Sequence, residues 1–115
     1  MLSPMSFFCR LAVLLLALFF GIAGAAAAQN AGPILTIQNH QFVPPELTIP
    51  ANTKVELIVR NQQPTPAEFE SSSLHREKIV PPGAQISVFV GPLDPGRYEF
   101  FDDFNQSTRG FLVAK

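Results

Sequence analysis

The chain has 115 residues, 47% of them apolar, with eight Lys and Arg against nine Asp and Glu and a formal net charge of −1. Near-neutral charge with scattered basic residues excludes a nucleic-acid-binding surface and a polybasic membrane patch. One cysteine excludes a disulfide framework.

Arg10 precedes an apolar run from Leu11 to Phe20, followed by mostly small residues from Gly21 to Ala28 and then Gln29. Charge, apolar core and small residues in that order are the pattern of a secretory signal. The run falls short of the roughly 20 apolar residues a spanning helix needs. Residues 1–28 are therefore read as a cleaved leader and 29–115 as one secreted domain, with no stable membrane anchor after cleavage. Cys9 lies in the leader, so the 87 residues that remain carry no thiolate.

From there on, short apolar or alternating stretches recur between proline and glycine punctuation, which is the pattern of an all-β fold. Strands are predicted at Ile34 to Asn39, Glu46 to Ile49, Val55 to Asn61, Glu68 to Ser71, Glu77 to Val80, Ile86 to Val90, Gly96 to Asp102 and Gly110 to Ala114. Val55, Leu57 and Val59 alternate with Lys54, Glu56 and Arg60, and Ile86, Val88 and Val90 repeat the pattern. Such strands bury one face and wet the other. The prolines Pro44, Pro45, Pro50, Pro64, Pro66, Pro81, Pro82, Pro92 and Pro95 fall between these strands, where a missing amide donor costs least.

Two ordered motifs resemble the cupredoxin family. Phe42, Pro44, Leu47, Ile49, Ala51, Val55, Leu57, Val59 and Asn61 match its N-terminal pattern, with Asn52 at the turn glycine, where Asn tolerates a left-handed conformation. Leu93-Asp94-Pro95-Gly96-Arg97-Tyr98-Glu99-Phe100 matches the pattern that leads into the family's ligand loop. The resemblance implies a Greek-key β-sandwich or barrel of about seven to eight strands. It also implies a structural role for Pro95 and Gly96 and a tyrosine corner at Tyr98.

Blue copper needs a Cys thiolate, two imidazoles and a weak axial ligand. At the corresponding positions stand Asp102 for Cys, Ala67 and Asn105 for the two His, and Thr108 for Met. Type 1 blue copper is therefore not expected. In its place the register gathers acids: Glu68 and Glu70 at one edge of the old site, Asp102 and Asp103 at the other. His75 is a candidate nitrogen ligand. Oxygen ligands of this kind suit iron, manganese or calcium, and Cu(II) binds through general affinity.

The bland alternatives are explicit. Glu68 and Glu70 alternate around Phe69, so two solvated acids over a core phenylalanine is the default. Asp102 shares the inward parity of Tyr98 and Phe100, and a buried carboxylate needs a partner. That partner is either a metal ion or a basic side chain such as Arg76, Lys78 or Arg109. Asp103 takes the outward parity, and Phe101 and Phe104 beside it are either core or an exposed docking patch.

The words Glu-Phe-Glu-Ser, Arg-Glu-Lys-Ile-Val and Phe-Phe-Asp-Asp-Phe are similar to the small periplasmic cupredoxin component of bacterial ferrous-iron transport systems. Asn105 stands where that group carries histidine. The resemblance implies a periplasmic accessory protein that binds iron or copper and hands over ferrous iron, or helps oxidise it, beside an iron permease or a periplasmic iron-binding protein. A metal-free module that docks a transporter component is the rival, and a ferroxidase is a third. No nucleophile elbow, phosphate loop or paired-cysteine zinc motif points to any other enzyme.

Overall fold

Alternation of apolar and polar residues produces nine strands in the computed structural model, which describes residues 32–115. The predicted leader lies outside the described residues. The strands are β1 (Ile34–Gln38), β2 (Gln41–Val43), β3 (Glu46–Ile49), β4 (Val55–Asn61), β5 (Ala67–Ser71), β6 (Arg76–Val80), β7 (Gln85–Val90), β8 (Gly96–Asp102) and β9 (Asn105–Ala114). They form a four-stranded sheet in the order β2-β1-β4-β7 and a five-stranded sheet in the order β3-β9-β8-β5-β6. None of the described residues forms a helix long and apolar enough to cross a membrane.

The expected strands are all present, with two additions. β2 is a separate hairpin arm, because Asn39 and His40 both take positive φ, 51° and 56°, and close a two-residue turn between Gln38 and Gln41. That turn requires left-handed backbone at both central residues, and Asn-His is a weaker turn signal than Asn-Gly. β9 begins at Asn105, not Gly110, because Asp103 and Phe104 form a tight turn that pairs Asp102 with Asn105 beside a register shift at Phe101/Asp102. The polar run Asn105-Gln106-Ser107 hides this extension from a pattern based on apolar residues.

Between the sheets, the inward residues of β1, β4 and β7 meet those of β5, β8 and β9. Leu35, Ile37, Leu57, Val59, Phe69, Phe100 and Leu112 are fully buried, and each such side chain stabilises the fold by about 1.5–3 kcal/mol. Phe100 is the hub. Its ring packs edge-on against Phe42 with centroids 4.7 Å apart and lies tilted against Phe69 at 5.2 Å. Tyr98 closes one end, its hydroxyl donating to the Asp94 carbonyl oxygen at 2.8 Å across the Pro95-Gly96 turn. Asn52 takes φ 57° in the β3–β4 turn, where a glycine or asparagine is favoured, and its N–H donates to the Leu93 carbonyl.

Gly110 is required by the hub. A Cβ there would lie 2.6 Å from the Phe100 ring and 2.9 Å from the Pro45 carbonyl oxygen. Gly110→Ala is expected to lower stability by about 1–3 kcal/mol, the range for overpacking a dense core. The loss should appear as a lower urea midpoint at unchanged slope. A midpoint equal to the wild type would mean that ring and strand part without cost.

Candidate functional site

The β5–β6 hairpin carries Glu68, Glu70 and Glu77, and contacts at both of its ends dock it onto β8 and the turn that follows. Phe69 pairs with Asp102 and Glu70 with Phe101 in antiparallel register, and the Asp103 N–H donates to the Glu68 carbonyl at 3.0 Å. At the far end the buried Ser71 hydroxyl donates to the Glu99 carbonyl at 2.6 Å and accepts from the Leu74 N–H at 3.2 Å. With both ends tied, Glu68, Glu70, Glu77, Phe101 and Asp103 share the outer face of the five-stranded sheet, while Phe69 and Phe100 lie beneath in the core.

On that face the structure brings three carboxylates together. One oxygen each from Glu68, Glu70 and Asp103 lies within 4.8 Å of the others. Glu70 and Asp103 are half-buried, but Glu68 is only 7% exposed. The expectation of two solvated acids therefore fails for Glu68, which stands between Ile79, its partner in register on β6, and the β8–β9 turn, whose Asp103 N–H bonds its carbonyl. Its Oε1 is buried with no hydrogen-bond partner.

The electrostatics follow from this crowding. The Glu77 carboxyl in hydrogen-bonding contact, then burial, then the charges of Glu77, Asp103 and Glu70 push the Glu68 carboxyl up from 4.5 to about 7. Two ionised carboxylates cannot donate to one another, so their close approach favours the protonated form of one of them. Burial, then the charges of Asp103 and Glu77 and a contact with the Asp103 carboxyl, also raise Glu70. A cation between these oxygens would supply what the protein does not.

Asp102 takes a different place. Its side chain points inward, 2% exposed, and Oδ1 accepts from the Glu68 N–H at 2.9 Å and the Phe104 N–H at 3.0 Å. The partner expected from sequence was a metal ion or a basic side chain, but the structure supplies backbone amides. Arg109 bonds Glu99 and lies over the Phe101 ring, and Arg76 donates to the carbonyls of Phe89, Leu74 and His75. Asp102 thus stands outside the carboxylate triad and positions it, since its Oδ1 holds the backbone of Glu68.

His75 also stands outside the triad. It occupies the β5–β6 turn at φ 54° and lines a cleft of about 450 Å³ with Glu70, Glu77, Ser71, Ser72 and Arg76. Nothing in the local sequence marks Glu77, which opens the expected strand Glu77 to Val80. The hairpin register, which sets it opposite Glu70, is the signal that finds it. Phe104 is 52% exposed beside Asp103 and Phe101 is half-buried.

The other former ligand positions have structural roles. Ala67 is fully buried, the Thr108 hydroxyl donates to the His40 carbonyl at 2.7 Å, and Asn105 Oδ1 accepts from the Ser107 hydroxyl. His40 lines a cleft of about 310 Å³ beside Asp102 and Asn105. With no thiolate or thioether and with the Asp102 and Thr108 oxygens already engaged, this corner does not fit type 1 copper.

Residues 11–114 match the family described as cupredoxin-like domain. The chain belongs to that family. An uncharacterized protein of Rickettsia prowazekii (strain Madrid E) is 49% identical over 81 residues, covering 70% of this chain. The matched stretch spans 65% of that relative's length. Among solved structures, amicyanin from Paracoccus versutus superposes with a TM-score of 0.61 at 16% identity, covering 79% of this chain and 88% of amicyanin. A purple cupredoxin from Nitrosopumilus maritimus superposes at 0.59 with 15% identity, covering 72% of this chain and 99% of that one. At these identities the likeness is one of fold. This cupredoxin-like domain keeps the sandwich and carries its acids on the outer face of one sheet.

Two outcomes follow from the geometry. Asp102→Ala strands the Glu68 and Phe104 amides and is expected to cost about 1–3 kcal/mol, a fall in Tm of roughly 5–20 °C for a domain this size. Asp102→Asn, which keeps an acceptor oxygen, should recover most of it, and an undiminished Tm in Asp102→Ala would remove the anchor. Because the folded Glu68 carboxyl titrates near 7 against 4.5 unfolded, the folded state holds a proton that the unfolded state has released in between. That stability is present below the unfolded value and is lost as pH rises through the folded one. In chelator, Tm should fall across this window, and Glu68→Gln should flatten the fall to what Glu70 contributes. An equally steep fall in Glu68→Gln would place the titration elsewhere.

Proposed function

We propose that this chain is a periplasmic metal-binding accessory protein of iron uptake, which holds iron at Glu68, Glu70 and Asp103 and hands it to an iron permease or a periplasmic iron-binding protein. The observation that carries the reading is the Glu68 carboxylate. It is nine-tenths buried, has an orphaned oxygen, and sits against two further carboxylates, and among the described residues no basic side chain is paired to any of the three. Leaving such a group unsatisfied is costly, whereas a hard cation would satisfy all three acids at once.

Oxygen-only donors favour iron, manganese and calcium over Cu(I). The choice of iron rests on the likeness of the Glu68–Ser71, Arg76–Val80 and Phe100–Phe104 segments to the cupredoxin component of ferrous-iron transport. Two of the three triad members are half-buried on an open sheet face. An ion held there remains within reach of a partner's ligands, as hand-over requires.

The test is titration of the chelator-stripped protein with Fe(II) under argon, Fe(III) supplied as citrate, and Mn(II), read by calorimetry and metal analysis after gel filtration. Binding of iron at micromolar concentration is expected, with Glu68→Gln weakening it at least about tenfold, the scale on which removal of a site's supporting group acts. A wild type that retains no metal would end the reading and leave the metal-free docking module in its place.

A further inference from the structure

Past the β8–β9 turn lies a short segment that neither the core nor the carboxylate site uses. Asn105 pairs with Asp102, and the ladder resumes at Phe101 and Arg109, so one step along β8 meets four along β9. Gln106, Ser107 and Thr108 are the surplus residues of this enlarged bulge, which interrupts pairing and re-aims side chains. Thr108 turns inward to the His40 carbonyl, while Gln106 and Ser107 are exposed.

Asn105-Gln106-Ser107 is an Asn-x-Ser triplet without proline at its centre, the acceptor pattern for N-linked glycans on exported chains. Asn30, Asn39, Asn52 and Asn61 have no hydroxyl residue two places on. A triplet this short recurs by chance, and its presentation decides whether it is usable. Here the Ser107 hydroxyl donates to Asn105 Oδ1 at 3.0 Å, which fixes the carboxamide and leaves Nδ2 as its free end. Among the described residues no acceptor holds that Nδ2, and Glu68 Oε1 is the only buried side-chain N or O atom left without a partner, so Nδ2 is open to solvent.

The surroundings give a substituent room. Asn105 lines the cleft of about 310 Å³ with Thr65, Pro66 and the exposed Phe104. Its register partner is the inward Asp102, whereas Asp103 joins the acids on the outer face, so a group carried by Asn105 leaves those acids clear. Asp103 also places a carboxylate two residues before the acceptor, a charge that a basic group on a transferase can bind.

We propose that Asn105 is an N-glycosylation site of the folded domain, with a polyprenyl-diphosphate-linked oligosaccharide as the donor. In the transfer a bond forms between Asn105 Nδ2 and the anomeric carbon of the first sugar, and the bond from that carbon to the diphosphate oxygen breaks. The polyprenyl diphosphate leaves with the electron pair, and the Nδ2 proton goes to a base of the transferase. An amide nitrogen shares its lone pair with the carbonyl, so activating it falls to the transferase. The part of this chain is presentation: Gln106 and Ser107 have no partner on β8, and the triplet is taken up without dismantling that ladder.

The purified folded protein is incubated with a bacterial oligosaccharyltransferase and its polyprenyl-diphosphate oligosaccharide, beside Asn105→Gln, Ser107→Ala and Ser107→Thr. Products are read by intact mass and by fragmentation of the tryptic peptide 98–109. Wild type should gain the mass of one glycan, carried on Asn105. Ser107→Thr, which keeps the hydroxyl, should gain it as well, while Ser107→Ala and Asn105→Gln lose it with melting curves that show them folded. A folded wild type that stays unmodified would overturn the proposal. Modification only after denaturation, or a glycan that persists in Ser107→Ala or sits on another asparagine, would overturn it equally.

Discussion

The structure hangs on the Asp102 carboxylate. One oxygen, Oδ1, accepts the Glu68 and Phe104 N–H groups, and in doing so joins the β5–β6 hairpin to the end of β8 and shapes the turn into β9. The pairing of β5 with β8 is otherwise short, two register pairs, the Asp103 to Glu68 bond and the Ser71 hydroxyl on the Glu99 carbonyl. Charge-assisted bonds of this kind are roughly twice as strong as neutral ones. A buried carboxylate at this point is stabilised because its two donors are amides that strand pairing would otherwise leave unmet.

That anchor has consequences on the opposite face. Fixing the Glu68 backbone aims its side chain outward between Ile79 and the β8–β9 turn, where it meets Glu70, Asp103 and Glu77. Below it the aromatic hub of Phe42, Phe69 and Phe100 is dense and dry, so the acids cannot retreat inward. Beside them the arginines are committed to other partners, Arg97 to Glu46 and the Phe111 ring, Arg109 to Glu99 and the Phe101 ring. Crowded like charges on a rigid platform raise the carboxyl pKa values and create a demand for a cation.

The cupredoxin-like corner shows how a fold can keep its frame while its chemistry moves. Tyr98, the Pro95-Gly96 turn and the Phe100 ring retain the closing geometry. Where the family's copper ligands would stand, Thr108 holds the β1–β2 turn through the His40 carbonyl, and Asp102 holds backbone. The Asp102 and Thr108 oxygens at the old ligand positions brace backbone, and the acids gather on the outer face of the same sheet.

Much of this was legible in the residues. Alternation at Val55 to Asn61 and Ile86 to Val90 marked half-buried strands, proline placement marked their ends, and parity put Asp102 inside and Asp103 outside. Those are local properties, written into the period-two geometry of a strand. Which acids meet was not local. Glu77 reaches Glu68 only through hairpin register, and Glu68 is buried only because β8 and Ile79 close around it. Asp102 found backbone amides where sequence suggested a basic side chain or a metal ion, since Glu68 and Asp102 lie 34 residues apart along the chain and a donor so placed leaves no trace in spacing. The sequence by itself determined the sandwich and the loss of blue-copper ligands, because both depend on residue type and periodicity. The tertiary structure decided which of the candidate acids meet and that Glu68 is buried among them, because β5 and the β8–β9 turn that carry them are aligned by long-range hydrogen bonds and core packing.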